Sequence, residues 1–161
     1  VLGERANQVE RLREDVQPNG RALVDLTIED AAVTDAGVRA NVSIALRYIE
    51  SWLRGVGAAA IDNLMEEAGT AESSRGQLWQ WIRHRVVTTE GTLVTRELVA
   101  AELAAAVASA TRGDGDRFDD AAEIVREVAL EDDFPTFLTI GAYSRYLVDQ
   151  PVGAAVASRA A

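Results

Sequence analysis

The sequence predicts an all-α fold, a bundle of about five helices with an irregular N-terminal connector. Its apolar residues are mainly Ala, Val and Leu, and Ala has the highest helix propensity. Apolar residues recur at three- and four-residue spacing in several segments, whereas alternation with a period of two is confined to very short runs. The 161 residues fit one domain, which can bury a substantial core.

Residues 1–30 are polar, and we predict that they form a connector. The run Pro18-Asn19-Gly20 is a strong turn signal, and the preceding residues suggest a short helix around Asn7–Glu14. The chain begins with Val1 and its only methionine is Met65, so we expect a domain that belongs to a longer protein.

Helical periodicity is clearest between Thr34 and Arg54. Thr34 is a good N-cap, and Gly55 and Gly57 are expected to end the helix. The apolar stripe of this helix consists of Val38, Val42, Ala45, Leu46, Ile49 and Leu53.

The rest of the helical domain, which spans residues 31–149, alternates helices with breaks. A loop is predicted over residues 58–69, followed by a helix that is capped by Thr70 and reaches about His84. An Ala-rich helix capped by Thr95 is predicted to reach about Thr111, and a turn follows at residues 113–116. The last two predicted elements are a helix from about Phe118 to Leu130 and a short helix within Pro135–Val148. Residues 150–161 are weakly patterned and are predicted to be a flexible tail.

Composition argues against several classes of partner and location. The formal net charge is −10, which repels nucleic acid and anionic membrane surfaces. There is no Cys, so disulfides, thiolate metal sites and a cysteine nucleophile are ruled out. No apolar run approaches the roughly 18 residues that cross a membrane, and no signal-peptide pattern opens the sequence. The last residues, 157–161, are not a peroxisomal address, so we expect a cytoplasmic location.

Most polar residues that attract attention have a structural interpretation. His84 is expected to complement the C-terminal end of a helix, where positive charge is favourable. Asp114 and Asp116 suggest a plain turn more than a calcium loop, because the remaining ligand positions are missing. Trp79 and Trp81 are expected to be packing residues, with a ligand platform as the alternative. The sequence contains no motif for binding a metal or a cofactor.

The segment Leu64-Met65-Glu66-Glu67 is different, because two adjacent carboxylates immediately precede a predicted helix. The positive end of the helix would stabilise one of them in its ionised form. Composition alone leaves a solvated acidic turn as the alternative.

Several runs in series resemble malate synthases of the shorter, A-type form, over about Leu2 to Leu147. The runs that carry the resemblance are Leu2-Gly3-Glu4-Arg5, Asn7-Gln8, Asp15-Val16, Arg39-Ala40-Asn41-Val42, Tyr48-Ile49-Glu50-Ser51-Trp52-Leu53-Arg54-Gly55, Asn63-Leu64-Met65-Glu66, Thr70-Ala71-Glu72, Ser74-Arg75, Gln77, Trp79-Gln80-Trp81-Ile82-Arg83-His84, Phe137-Leu138-Thr139 and Ala142-Tyr143.

The resemblance implies a division of labour between two domains. In that family a TIM barrel binds Mg²⁺, acetyl-CoA and glyoxylate, and a C-terminal helical domain closes the barrel and supplies an Asp as general base. By resemblance, Glu67 is the catalytic base, Met65 and Glu66 belong to the substrate-pocket loop, and residues 1–30 connect to the barrel. The activity implied is condensation of acetyl-CoA with glyoxylate and water to malate and CoA, in the glyoxylate cycle. The chain alone, without the barrel, is expected to be inactive.

The sequence departs from the family at the base itself. Glu67 stands where the family has Asp, and Gly69, Ser73 and Gly76 replace the more usual Ala, Ile and Ala. Glu is longer by one methylene, which moves the carboxylate by about 1 Å and can lower a rate by ~10²-fold. Gly69 is expected to loosen the loop and allow compensation. The alternative is a diverged, non-catalytic helical docking module, which would also expose an apolar patch towards the barrel.

Overall fold

The computed structural model describes residues 3–4, 6–10, 12–25 and 27–148. The chain divides into two units, Val1–Ala31 and Ala32–Ala161. The predicted flexible tail, residues 150–161, lies outside the described residues. Within the described ranges, no helix has the length and apolar character to span a membrane.

The first unit contains one short helix, α1 (Gly20–Leu23), whose N-cap Asn19 accepts a hydrogen bond from the Arg21 amide at 3.0 Å. The helix predicted around Asn7–Glu14 is wrong, because the described residues there form turns and bends. The Asn7 side chain accepts the Val9 amide at 3.0 Å, a local bond that competes with helix formation. None of the described residues of this unit is buried. Its role as a connector stays a prediction.

The second unit confirms the all-α prediction, apart from one small two-stranded sheet. Its elements are α2 (Asp35–Leu53), β1 (Ala59–Ile61), β2 (Leu64–Glu66), α3 (Ala68–Arg83), α4 (Arg96–Ser109), α5 (Phe118–Ala129) and α6 (Leu138–Tyr143), and a π-helical turn, Ser144–Val148, continues α6. The helix predicted within Pro135–Val148 is therefore present, but it starts at Leu138 and changes to the wider form at Ser144.

Helix α2 is the centre of the core and packs against α3, α4, α5 and β1. The predicted stripe is confirmed, since Val38, Val42, Ala45, Leu46, Ile49 and Leu53 are all buried. Facing residues from the other helices complete one hydrophobic core, among them Leu78, Val99, Leu103, Ile124 and Val125.

The N-terminus of α2 is held by its cap and by the loop that precedes α4. The Thr34 hydroxyl accepts the Gly37 amide at 2.9 Å, as predicted for an N-cap. The Asp35 carboxylate accepts hydrogen bonds from the hydroxyls of Thr88 at 2.7 Å and Thr92 at 3.0 Å. The side chains of Thr34 and Asp35 thus both serve to hold this helix start in the fold.

The loop predicted over residues 58–69 is wrong for most of its length, because β1 and β2 pair there as an antiparallel hairpin. Asp62 and Asn63 form its two-residue turn with positive φ angles of 51° and 65°. Two successive left-handed residues match the twist of a tight hairpin, and Asp and Asn tolerate that conformation best after Gly. The Asp62-Asn63 pair was therefore a hairpin signal in the sequence.

The other polar residues lie where their structural interpretations expected them, at a helix end, in a turn and in a packed ring contact. His84 is the C-cap of α3, and its amide bonds to the Gln80 carbonyl at 2.9 Å. Residues 113–116 form a turn closed by the Asp116 amide and the Gly113 carbonyl. The Trp79 indole donates to the Glu131 carbonyl at 3.0 Å, and its ring packs against Phe134.

Candidate functional site

The candidate site is the segment that runs out of the hairpin into α3. Its position is set by the hairpin, whose residues Ala59 and Ile61 are buried against the core. Arg47 of α2 pairs with Asp62 in the hairpin turn at 2.8 Å. Met65, on the opposite face from Ile61, is 67% exposed, and Leu64, beside the hairpin turn, is 64% exposed.

The structure separates the two adjacent carboxylates. Glu66 is only 7% exposed, whereas Glu67 lies on the surface. Successive side chains of an extended chain point to opposite sides, and Glu67 retains the extended backbone with φ −119° and ψ 176°. Met65 and Glu67, two residues apart, are therefore presented to the same exposed side. Of the paired acids, Glu67 is the one that a molecule from outside can reach.

Glu67 is the N-cap residue of α3, and this corrects two predictions. The helix begins at Ala68, so Thr70 lies in its first turn and is not the cap. Gly69 is likewise in the helix and does not loosen a loop. The N-cap lies three residues before the predicted one because β2 carries the backbone directly to Glu67.

The Glu67 carboxylate makes no capping hydrogen bond to α3. The amides of Thr70 and Ala71 instead donate to the backbone carbonyl of Glu67, at 3.1 and 3.2 Å. The carboxylate remains at the positive end of the helix, which favours a negative charge, and its oxygens remain available to accept a proton.

Tyr48 is the residue near Glu67 to which sequence reasoning gave no role. It is buried in α2, and its hydroxyl donates to the Gly57 carbonyl at 3.2 Å. Burial raises the pKa of Tyr48 above its ordinary value of 10.0, and the negative charge of Glu67 raises it further. The phenol is thus a neutral neighbour of the carboxylate. The one signal for Tyr48 in the sequence was its position in the run Tyr48-Ile49-Glu50, which belongs to the family resemblance.

The candidate site lies apart from three cavities that the described residues form, because residues 64–67 line none of them. The cavity of about 380 Å³ between α2, α4 and the start of α5 is lined by residues such as Arg47, Ser109 and Phe118, and not by residues 64–67. Among the described residues, no group of three or more His, Cys, Asp or Glu side chains is placed to hold a metal ion. The candidate site is therefore an exposed carboxylate and an apolar hairpin edge, which need a concave partner surface for chemistry.

Comparison with known proteins agrees with the resemblance. The family model described as "Malate synthase, C-terminal" matches residues 32–146. The chain is 43% identical to a malate synthase of Streptomyces clavuligerus, over 90% of this chain and 28% of that protein. It is 38% identical to malate synthase A of Escherichia coli, over 89% of this chain and 28% of that protein. A rice malate synthase is 34% identical, over 93% of this chain and 29% of that protein. The chain thus spans less than a third of the length of these relatives.

Proposed function

The chain belongs to the malate synthase family as its C-terminal domain, and from this premise we propose that it closes a barrel active site in which Glu67 is the general base. The reaction of the full-length protein is the condensation of acetyl-CoA with glyoxylate and water to give malate and CoA. The partner of this domain is its own TIM barrel.

One observation carries the proposal, namely that Glu67 presents an unused carboxylate at the start of α3. Asp, Asn, Ser and Thr at an N-cap normally accept a backbone amide of the first helical turn, whereas the longer Glu is not among these capping residues, so the Glu67 oxygens stay free of the helix. The exposed Met65 beside it provides apolar surface that can be buried when the domain closes. A carboxylate on a convex, partly apolar edge suits a base that is inserted into the cavity of another domain.

The chemistry asked of Glu67 is a single proton transfer. The carboxylate takes a proton from the methyl carbon of the acetyl thioester, and the C–H electron pair moves to form the enolate. The enolate carbon then forms the new C–C bond with the aldehyde carbon of glyoxylate, whose C=O electron pair moves to the oxygen to give the alkoxide. The alkoxide takes up a proton, and Glu67 gives up the proton that it accepted, so the carboxylate is regenerated. Hydrolysis of the resulting malyl thioester with one water releases malate and CoA. Closure of the domain would exclude water from the first of these steps.

The metal implied by the family belongs to the barrel under this proposal. Mg²⁺ prefers several oxygen ligands, and the described residues offer no such group. This part of the chain therefore does not fit the ion, and no step of the mechanism above depends on it. The glyoxylate cycle and a cytoplasmic location are likewise part of the proposal.

The second candidate function is a docking module that has lost catalysis. The Glu at position 67, where the family resemblance puts Asp, is the observation that favours it. The exposed Leu64 and Met65 fit both candidates, because both need the hairpin edge to meet the barrel. Only a measurement of proton abstraction separates them.

The test is hydrogen–deuterium exchange at the acetyl-CoA methyl group, catalysed by the full-length protein in D₂O. Glu67→Gln keeps the shape of the side chain but removes the proton acceptor. We expect the exchange rate to fall by about 10²- to 10⁴-fold, the usual contribution of a general base, while acetyl-CoA binding is retained.

Glu97→Gln is the matched control, since Glu97 is also an exposed carboxylate in the first turn of a helix, α4. Its exchange rate should equal that of the unchanged protein. Undiminished exchange in Glu67→Gln would refute the base assignment. No exchange in the unchanged full-length protein would favour the docking module.

A further inference from the structure

We infer that Arg75 and Glu72 are positioning residues for Glu67, because they fix the start of α3 to the C-terminal segment of the domain. The inference rests on the proposed function of Glu67 and adds to it the device that holds the base in place. Neither side chain lies on the exposed edge beside Met65 and Glu67.

Arg75 is the centre of this device and is only 1% exposed. Its Nε and Nη2 atoms both donate to one oxygen of the Glu72 carboxylate, at 2.9 and 2.6 Å. Nη1 donates to the Val128 carbonyl at 3.3 Å, and Nη2 also donates to the Pro135 carbonyl at 2.9 Å. The guanidinium carbon lies 4.0 Å from the centroid of the Phe134 ring. A buried guanidinium is tolerated when its donors are paired in this way.

Glu72 extends the device to α6. Its second carboxylate oxygen accepts the Leu138 amide at 2.6 Å. Leu138 is the first residue of α6, and its N-cap Phe137 contributes no capping side chain. The Glu72 carboxylate thus caps a helix that is distant in sequence and neutralises Arg75 at the same time. The two residues tie α3, the end of α5 and the start of α6 into one rigid junction.

The junction matters for Glu67 because the hairpin fixes only the backbone before the helix, and the Glu67 side chain makes no capping hydrogen bond of its own. Glu72 is five residues beyond Glu67, which is about 7.5 Å along the helix axis at 1.5 Å per residue. A helix transmits a rotation or a shift over that distance almost rigidly. Together with the hairpin before Glu67, the contacts of Ala71, Glu72 and Arg75 therefore orient the first turn and, with it, the carboxylate.

The experiment measures hydrogen–deuterium exchange at the acetyl-CoA methyl group in the full-length protein for two variants, Glu72→Gln and Arg75→Lys, and for a control variant. Glu72→Gln exchanges one acceptor oxygen for a donor, and Arg75→Lys removes the planar fork but keeps the charge. We expect each to lower the exchange rate by up to about 100-fold, with the KM for acetyl-CoA largely unchanged, since a displacement of about 1 Å costs that much. All rates are referred to the folded fraction, measured for each variant by urea unfolding.

Glu50→Gln is the matched control. Glu50 is a buried carboxylate that pairs with Arg54 at 3.3 Å and accepts the Arg117 amide, at the N-cap of α5, at 3.3 Å. Like Glu72, Glu50 pairs with an Arg and accepts an amide at the start of another helix, but it lies on α2 and not on α3. The rate per folded molecule should be unchanged in this variant even where its stability falls.

The decisive measurement repeats Glu72→Gln in the Glu67→Gln background. A residue that acts through the base has no further effect once the base is removed, so the residual exchange rate should not change. An equal fold-reduction in both backgrounds, or no reduction in either single variant, would overturn the inference. Full exchange in Glu67→Gln alone would instead overturn the proposed function, so the two failures are distinguishable.

Discussion

The starts of α2 and α3 differ in what the N-cap side chain does. At α2 the Thr34 hydroxyl accepts the amide of Gly37, three residues into the helix, at 2.9 Å. At α3 the corresponding amide, that of Thr70, donates to the backbone carbonyl of Glu67 at 3.1 Å, and the carboxylate is left out. The backbones are alike, with both cap residues extended. The difference therefore lies in the side chain, and not in the path of the chain.

The comparison shows how a helix start that holds the fold together differs from one suited to chemistry. Next to Thr34, the Asp35 carboxylate accepts hydrogen bonds from the hydroxyls of both Thr88 and Thr92. Glu67 forms no such bonds at α3, and the start of that helix is held from further along, through Glu72 and Arg75. Because the stabilising contacts lie further along the helix, the Glu67 carboxylate is left without a capping hydrogen bond.

Removal of the two cap side chains tests this difference most directly. We expect Thr34→Ala to lower the free energy of unfolding by about 1 kcal/mol, because an amide of the first turn loses its acceptor. Glu67→Ala should change it by less than about 0.5 kcal/mol, as for other surface residues. Urea unfolding of the chain, followed by helical circular dichroism, measures both. Equal losses would show that Glu67 also contributes to holding the helix.

Glu67→Asp should make α3 start as α2 does. The shorter carboxylate can accept the amide of Thr70, so we expect the free energy of unfolding to rise by up to about 1 kcal/mol. In the full-length protein the acetyl-CoA exchange rate should fall by up to about 100-fold, because the base is withdrawn by about 1 Å. A faster rate would contradict the view that this protein has adjusted to Glu, and would support the diverged docking module.

Gly69→Ala is the smallest change at the same helix start. A methyl group at Gly69 has no neighbour within 4 Å, and the residue is helical. We expect the free energy of unfolding to rise by about 0.5–1 kcal/mol, since Ala loses less backbone entropy on folding. Gly55→Ala is the opposite case, because a φ of +91° disfavours any side chain, and it should destabilise by about 1 kcal/mol. A loss of stability in Gly69→Ala would indicate that the first turn requires glycine.

Sequence reasoning identified the helices of the second unit because each has a local signal. Thr34 and Thr95 cap α2 and α4 as predicted, and their side-chain bonds close within three residues. It failed at residues 58–69, where three-residue strands carry too few positions to show a period. The prediction of a helix around Asn7–Glu14 failed for a related reason. The described apolar residues of this segment are not buried, and local hydrogen bonds, such as the one from the Val9 amide to the Asn7 side chain, form in place of helical ones.

The candidate site was found by resemblance and not by pattern. The phrase Asn63-Leu64-Met65-Glu66 directed attention to Glu67, but the position of each carboxylate was not readable from it. Whether Glu66 or Glu67 faces outwards depends on the hairpin register, in which Glu66 pairs with Ala59. A shift of the hairpin register by one residue would expose Glu66 and bury Glu67.

The sequence by itself determined the helical class of this protein, the centre of its core and its membership of the malate synthase family. These properties depend on spacing and composition along the chain. Only the tertiary structure decided that Glu66 is buried, that Glu67 begins α3 with an unused carboxylate, and that Arg75 bonds to carbonyls more than fifty residues away. Such contacts join segments that are far apart in the sequence, and no local sequence pattern predicts them. They form only when the helices pack against one another.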